Sequence, residues 1–306
     1  MIAYVIRRLI LVIPILFGVT LVVFIILHSM PGDPAQVIAG LDGSEEVLDR
    51  IRKDLGLDRS LPVQYLSLMK SIFIRGDLGY SYRTRQAVSV EIKRRYVNTG
   101  MLGASAIVVA VLVGVPCGIV CAVRHNWMDR LLAIVSLIGL STPAFWSGLI
   151  LIILFSVYLG WLPAGGKSGF RSILLPAITL AIPAAGVIAR MVRTSLLEVL
   201  RENYIRTAKA KGLPQLQVVL KHGLRNALIP TITVIGLQVG YLLGGSVVVE
   251  TVFSWPGLGQ LIITGILGRD YPMVQGAILV MALTFILINL LVDLLYTYLD
   301  PRIQYE

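Results

Sequence analysis

Charge is scarce in this 306-residue chain: 14% of its residues are Asp, Glu, Lys or Arg, against 56% apolar ones. A soluble domain needs about a quarter of its residues charged, so a soluble globular class is excluded. Cysteine is scarcer still. Cys117 and Cys121, four apart on one helical face, build neither a disulfide framework nor a metal set and are read as packing residues. The three histidines, His28, His125 and His222, stand apart from one another and no H-E-x-x-H occurs, so a zinc protease is excluded and no donor cluster is left for a metal ion. G-G-K-S at 165–168 is not a phosphate-binding loop, because Trp161 stands where the first glycine belongs. No catalytic residue and no metal ligand is assigned, no cofactor is expected on this chain, and ATP hydrolysis is not expected of it.

What the chain has instead is long uncharged runs, at 9–27, 101–123, 131–160, 172–189, 226–249 and 272–292, and a mean hydropathy of +0.82. About 20 apolar residues carry a helix across the roughly 30 Å of hydrocarbon, and backbone in lipid must satisfy its own hydrogen bonds. The expectation is an all-α membrane protein with six transmembrane helices. The first run follows Arg7 and Arg8 like a signal peptide, but it is long for one and "HSMPGDPAQ" is a poor cleavage site, so it is read as a retained helix. The net charge of +10 is distributed as a membrane topology rather than as a nucleic-acid surface. Among the short connections, thirteen Lys and Arg fall on the side of both termini and only Lys167, Arg171 and Arg269 on the other. Both termini are therefore cytoplasmic.

The domain expectation is a first helix over 1–29, an extracytoplasmic cap over 30–98 and a five-helix core over 99–306 that carries a cytoplasmic loop at about 194–226. Pro31, Gly32 and Pro34 stop the first helix. "SEEVLDRIRKDLGL" (44–57) reads as an amphipathic helix with Ser44 as N-cap and Val47, Leu48, Ile51 and Leu55 on one face. "LPVQYLSLMKSIFIRG" reads as a second helix, and "GDLGYSYRTRQAV" as a loop. Pro14, Pro143, Pro176 and Pro183 predict kinks within their spans, and Gly236, Gly240 and Gly244 make a small-residue stripe suited to close helix approach or to lining a path. Gln238, Gly244, Gly245 and Glu250 in the fifth span, with Asn289 and Asp293 in the sixth, are the candidate path residues. Glu250 either faces the path or marks the boundary, and Asp293 either pairs structurally or serves transport. An ion-coupled secondary transporter remains open on these grounds.

Residues 206–230, "RTAKAKGLPQLQVVLKHGLRNALIP", hold Arg206, Lys209, Lys211, Lys221 and Arg225 and no acid. "TSLLEVLRENYIRTAKAKG" predicts one helix with Leu197, Leu200, Tyr204 and Ala208 on one side, ended by Gly212 and Pro214. Such a segment suits either anionic lipid or a partner's groove. It resembles the cytoplasmic signature loop of ABC importer permeases, with Arg206-Thr207-Ala208 where Glu-Ala-Ala is usual and with Gly212 matching. "YVIRRLILVIPILFGVTLVVFIILHSMPGDPA", "LGLDRSLPVQY", "GDLGYSY", "FWSGLILIILFSVYLGWLPAGG", "GGSVVVETVFSWPGLGQL", "RDYPMVQG" and "NLLVDLLYTYLDPRI" extend the likeness along the chain. On these motifs the chain is identified as a member of the dipeptide/oligopeptide/nickel permease family, nearest its dipeptide and glutathione type. The resemblance implies a type I ABC importer permease fold in a bacterial inner membrane, importing peptides or glutathione, with nickel or metal chelates as the alternative cargo. It implies as partners a second homologous permease, two ATP-binding subunits that use ATP and Mg, and an extracytoplasmic substrate-binding protein, all in a lipid bilayer and without nucleic acid. It implies ATPase coupling through Tyr204, Arg206, Thr207, Ala208, Lys209, Ala210, Lys211, Gly212 and Leu213.

Overall fold

Apolar runs that must close their own hydrogen bonds become helices, and in the computed structural model every long element is one. Residues 2–40, 44–124 and 127–299 are described. In chain order the helices are α1 (Ile2–Ser29), α2 (Pro34–Ala39), α3 (Glu45–Leu55), α4 (Leu61–Lys70), α5 (Val88–Val123), α6 (Trp127–Ser141), α7 (Ala144–Ile152), α8 (Arg171–Val199), α9 (Asn203–Ala210), α10 (Gln215–Gln217), α11 (Leu224–Val252), α12 (Leu258–Leu267) and α13 (Tyr271–Leu299). Wider π turns follow α4, α7 and α10, at Ser71–Arg75, Ile153–Tyr158 and Val218–Gly223. Among the described residues the one extended pairing is an isolated bridge between Tyr80 and Ala87.

Among the described residues, five continuous helical stretches are long and apolar enough to cross a membrane: Ile6–Ser29, Val88–Val123, Arg171–Val199, Gln215–Val252 and Tyr271–Leu294. The third apolar run departs from expectation. Instead of one kinked helix over 131–160, the chain bends by 103° between Ile134–Ser141 and Ala144–Tyr158. The residue before a proline is pushed out of the helical region, so Thr142 ends α6 and Pro143 becomes the N-cap of α7. The expected N-cap at the cap segment also differs. Ser44 occupies the position with extended backbone, but its side chain makes no capping bond.

The chain forms two compact units, one of Met1–Thr99 with Pro256–Ile286 and one of Gly100–Trp255 with Leu287–Glu306. The second is built around α8, with residues such as Leu180, Ala184, Ile188 and Val192 buried. Lipid supplies no hydrophobic force between helices, so close van der Waals contact must hold them together. At Gly114 and Gly118 of α5 an added Cβ would stand 2.8 Å from the Ala185 carbonyl oxygen and 2.6 Å from that of Ala189. At Gly236 of α11 it would stand 2.5 Å from Val292, whereas Gly244, in the same stripe, faces open space.

In the first unit, polar side chains fasten the turns. Asp33 accepts from Ala35 N (2.8 Å), which caps α2, and from Arg52 Nε (2.7 Å), which ties α3 to the same turn. These bonds, to Asp33 first and then to Asp49, raise the Arg52 pKa above its usual value. Asp270, 3% exposed, caps α13 through Met273 N (3.4 Å) and also accepts from Tyr82 N (3.0 Å) and from the Ser81 hydroxyl. Burial, and then the Asp270 charge, push the Tyr82 phenol up, so it stays protonated. The guanidinium of Arg269 lies where any Cβ at Gly32 (φ +117°) would overlap it.

Gly118→Leu is expected to cost about 1–3 kcal/mol by overpacking α5 against α8. Gly103→Ala, with nothing within 4 Å of its Cβ position, is expected to be neutral or slightly stabilising. Thermal unfolding of the two variants in detergent compares them directly.

Candidate functional site

The basic segment is two helices rather than one. Residues Leu200–Glu202 form a turn, closed by Arg201 N to Glu198 O (3.1 Å) and Glu202 N to Val199 O (3.1 Å), and α9 starts afresh with Glu202 as its extended N-cap. The reason lies in burial. An unbroken helix would carry Leu200, Tyr204 and Ala208 on one side, but the side chains that pack are Leu196 and Leu200 and then Ile205 and Ala208. The turn absorbs the extra residue. Ile205 (0% exposed) and Ala208 close against Val218, with Val199, Leu200 and Leu213 at the edge.

This places the predicted coupling residues on two sides. Ala208 faces inward, Leu213 is half-buried, and Arg206, Thr207, Lys209, Ala210, Lys211 and Gly212 are exposed. Tyr204 is expected among the packed residues, yet it is 42% exposed, with its hydroxyl accepting from Asn226 Nδ2 at 2.7 Å. Gly212 ends the segment with Gly212 N bonded to Lys209 O (3.0 Å) at φ +77°, a conformation side chains disfavour, in open space. Behind α9 the π turn Val218–Gly223 presents Val218 and Val219 inward. A Cβ at Gly223 would meet Leu196 at 3.0 Å. The result is a cation-bearing knob whose outer face is the short helix α9, about two turns long, and its glycine exit.

The candidate path residues are spread along α11 and α13 rather than gathered in one cluster. Gln238 is half-buried in the middle of α11, Gly244 is exposed, and Gly245 is half-buried, where an added Cβ would stand 3.6 Å from Leu180. Glu250 is fully buried near the end of α11, while Asn289 and Asp293 are half-buried in the last third of the described α13. Among the described residues no group of three or more His, Cys, Asp or Glu is placed to hold a metal ion. Sequence reasoning assigned no role to Asp270 or to the Gly114–Gly118 pair. The signals were present as an Asp two residues before a proline at a helix start and as a G-x-x-x-G.

Two family patterns match the chain: that of the N-terminal part of binding-protein-dependent transport system membrane components over residues 1–103, and that of binding-protein-dependent transport system inner membrane components over residues 114–305. The glutathione transport system permease protein GsiC of Escherichia coli O6:H1 strain CFT073 is 48% identical over 307 residues, covering all of both chains. Its counterpart in Escherichia coli strain K12 is 47% identical with the same coverage. Among solved structures, an inward-facing conformation of the MetNI methionine ABC transporter superposes with a TM-score of 0.59 at 22% identity, over 68% of this chain and 96% of that one. The fold is shared.

Replacing Ile205 by Ala is expected to remove about 2–4 kcal/mol of packing beneath α9. The variant's Arg206, Lys209 and Lys211 peptide bonds should then be cut by trypsin well before those of the parent chain.

Proposed function

The chain belongs to the family of inner membrane components of binding-protein-dependent transport systems, and from that premise we propose that it forms half of the translocation path of an ATP-driven importer of short peptides, glutathione among them. It is a multi-pass inner membrane protein and a transport permease rather than an enzyme. The observation that carries the substrate class is the end-to-end relationship to permeases named for glutathione transport, with neither chain left over.

In this reading the second half of the path is a homologous permease, and two ATP-binding subunits, which alone hold ATP and Mg, dock on the α9 knob. The exposed cations Arg206, Lys209 and Lys211 steer docking, and the helical turn that bears them fills a groove on the ATPase. Because Ile205 and Ala208 anchor α9 to the π turn that runs into α11, a push on the knob passes to that helix as a rigid-body movement. Gln238, Gly244, Gly245, Glu250, Asn289 and Asp293 line or support the path. The outer segment between α1 and α5 meets an extracytoplasmic binding protein, which supplies most of the selectivity.

Purification of the chain from its own membrane in mild detergent should retain a second permease and Walker-type ATPases; recovery of the chain alone or as a pure homo-oligomer would refute the importer. Gly212→Val puts a branched side chain at φ +77°, a strain of about 1–3 kcal/mol in the turn below α9. That variant is expected to insert normally yet to hydrolyse ATP without matching uptake, and normally coupled uptake would count against the docking role.

A further inference from the structure

Helix α4 packs along α1. As its numbering rises, its contacts descend α1. Gln64 Oε1 meets His28 Nε2 at 3.1 Å, Tyr65 lies edge-on to Phe24 at 5.4 Å, Met69 accepts from the Thr20 hydroxyl at 3.6 Å, and Phe73 stacks on Phe17 at 4.8 Å. Phe17 lies about 18 Å along the helix from Ser29 at 1.5 Å per residue, in the middle of the uncharged run 9–27. The chain thus runs back along α1, from its C-terminal end to its middle, before α5 begins.

Along this run α4 and the π turn after it carry a polar row, Gln64, Ser67 and Ser71, at spacings of three and four. The row faces a cavity of about 340 Å³, whose opposite wall is Tyr271 and Gln275 of α13. Gln275 decides what the cavity is for. Its side chain is 5% exposed, and no hydrogen bond of the chain reaches its amide. Its amide therefore opens on the cavity, where it is free to pair with whatever fills it, and leaving it unpaired would cost about 1–3 kcal/mol. The interior offers neutral donors and acceptors, while Lys53, Asp54 and Arg59 line the same cavity with charges of both signs.

We propose that this cavity is a subsite for the main chain of a short peptide, its N–H and C=O groups paired with Gln275 and Ser67, and its charged ends met by Lys53, Arg59 and Asp54. The assignment rests on the import reading and adds to it a place where this chain itself touches cargo.

The test uses the complete transporter, reconstituted without its binding protein, carrying Ser67→Cys. A membrane-impermeant maleimide added from the outer side should label Cys at this position above the signal of the parent chain. Dialanine or S-methylglutathione, neither of which holds a free thiol, should slow the labelling. Adding Gln275→Leu should raise the half-protecting peptide concentration roughly fivefold to tenfold, the loss of about one hydrogen bond, without lowering the melting temperature, because no bond within the chain is lost. No labelling in a transporter that still imports peptide overturns the cavity and leaves the import reading intact. Labelling without protection, or protection indifferent to Gln275→Leu, overturns the peptide subsite. Uptake of peptide that needs no ATP overturns the import reading instead.

Discussion

How near other backbones come to α8 is the constraint on which the larger unit depends. Two helices in lipid gain nothing from hiding apolar surface, since lipid is as apolar as leucine, so they hold only where many atoms touch at short range. α8 offers Ala177, Ala181, Ala184, Ala185 and Ala189 along its buried length. Gly114 and Gly118, one turn apart on α5, meet the carbonyls of Ala185 and Ala189, also one turn apart. From α6, Gly139 lies against Ile182, and Ser136 lies against Gly186. The scarcity of large side chains at these crossings is what lets a nearly uncharged interior pack tightly.

The smaller unit solves a different problem, because its turns carry charge. Asp33 and Asp270 each end a turn by capping the next helix, and each uses its remaining lone pairs to hold a second segment: Arg52 in one case, and the Ser81–Tyr82 backbone in the other. A carboxylate that accepts several donors is held in place by all of them. Two family motifs that lie almost 190 residues apart in sequence, "GDLGYSY" and "RDYPMVQG", meet through Asp270. Arg269, on the same turn, covers Gly32 of the Pro-Gly-Asp-Pro exit.

The basic segment around α9 shows the same economy. A break at Leu200–Glu202 and a π turn at Val218–Gly223 each shift the register of buried side chains by a residue, and together they bring Ile205, Ala208 and Val218 to one point. With that face anchored, the cations are left outward. π turns inside helices recur where function needs a side chain re-aimed, and α9 is packed against one.

The sequence by itself determined the class, the topology and the family. Uncharged runs of membrane length, the one-sided placement of Lys and Arg, and the chain of motifs from the first helix to "NLLVDLLYTYLDPRI" required no coordinates, because they follow from hydropathy, charge and local turn chemistry. Tertiary structure alone decided the rest. The 103° bend at Thr142–Pro143 is far larger than a proline kink, since it depends on where α7 finds its packing. Ile205 rather than Tyr204 turned inward beside Ala208 because burial, not the helical wheel of an unbroken helix, set the register. The run of α4 along α1 was invisible for the same reason: Gln64, Ser67 and Ser71 are unremarkable in sequence, and only contacts such as that of Phe73 with Phe17 align the two segments.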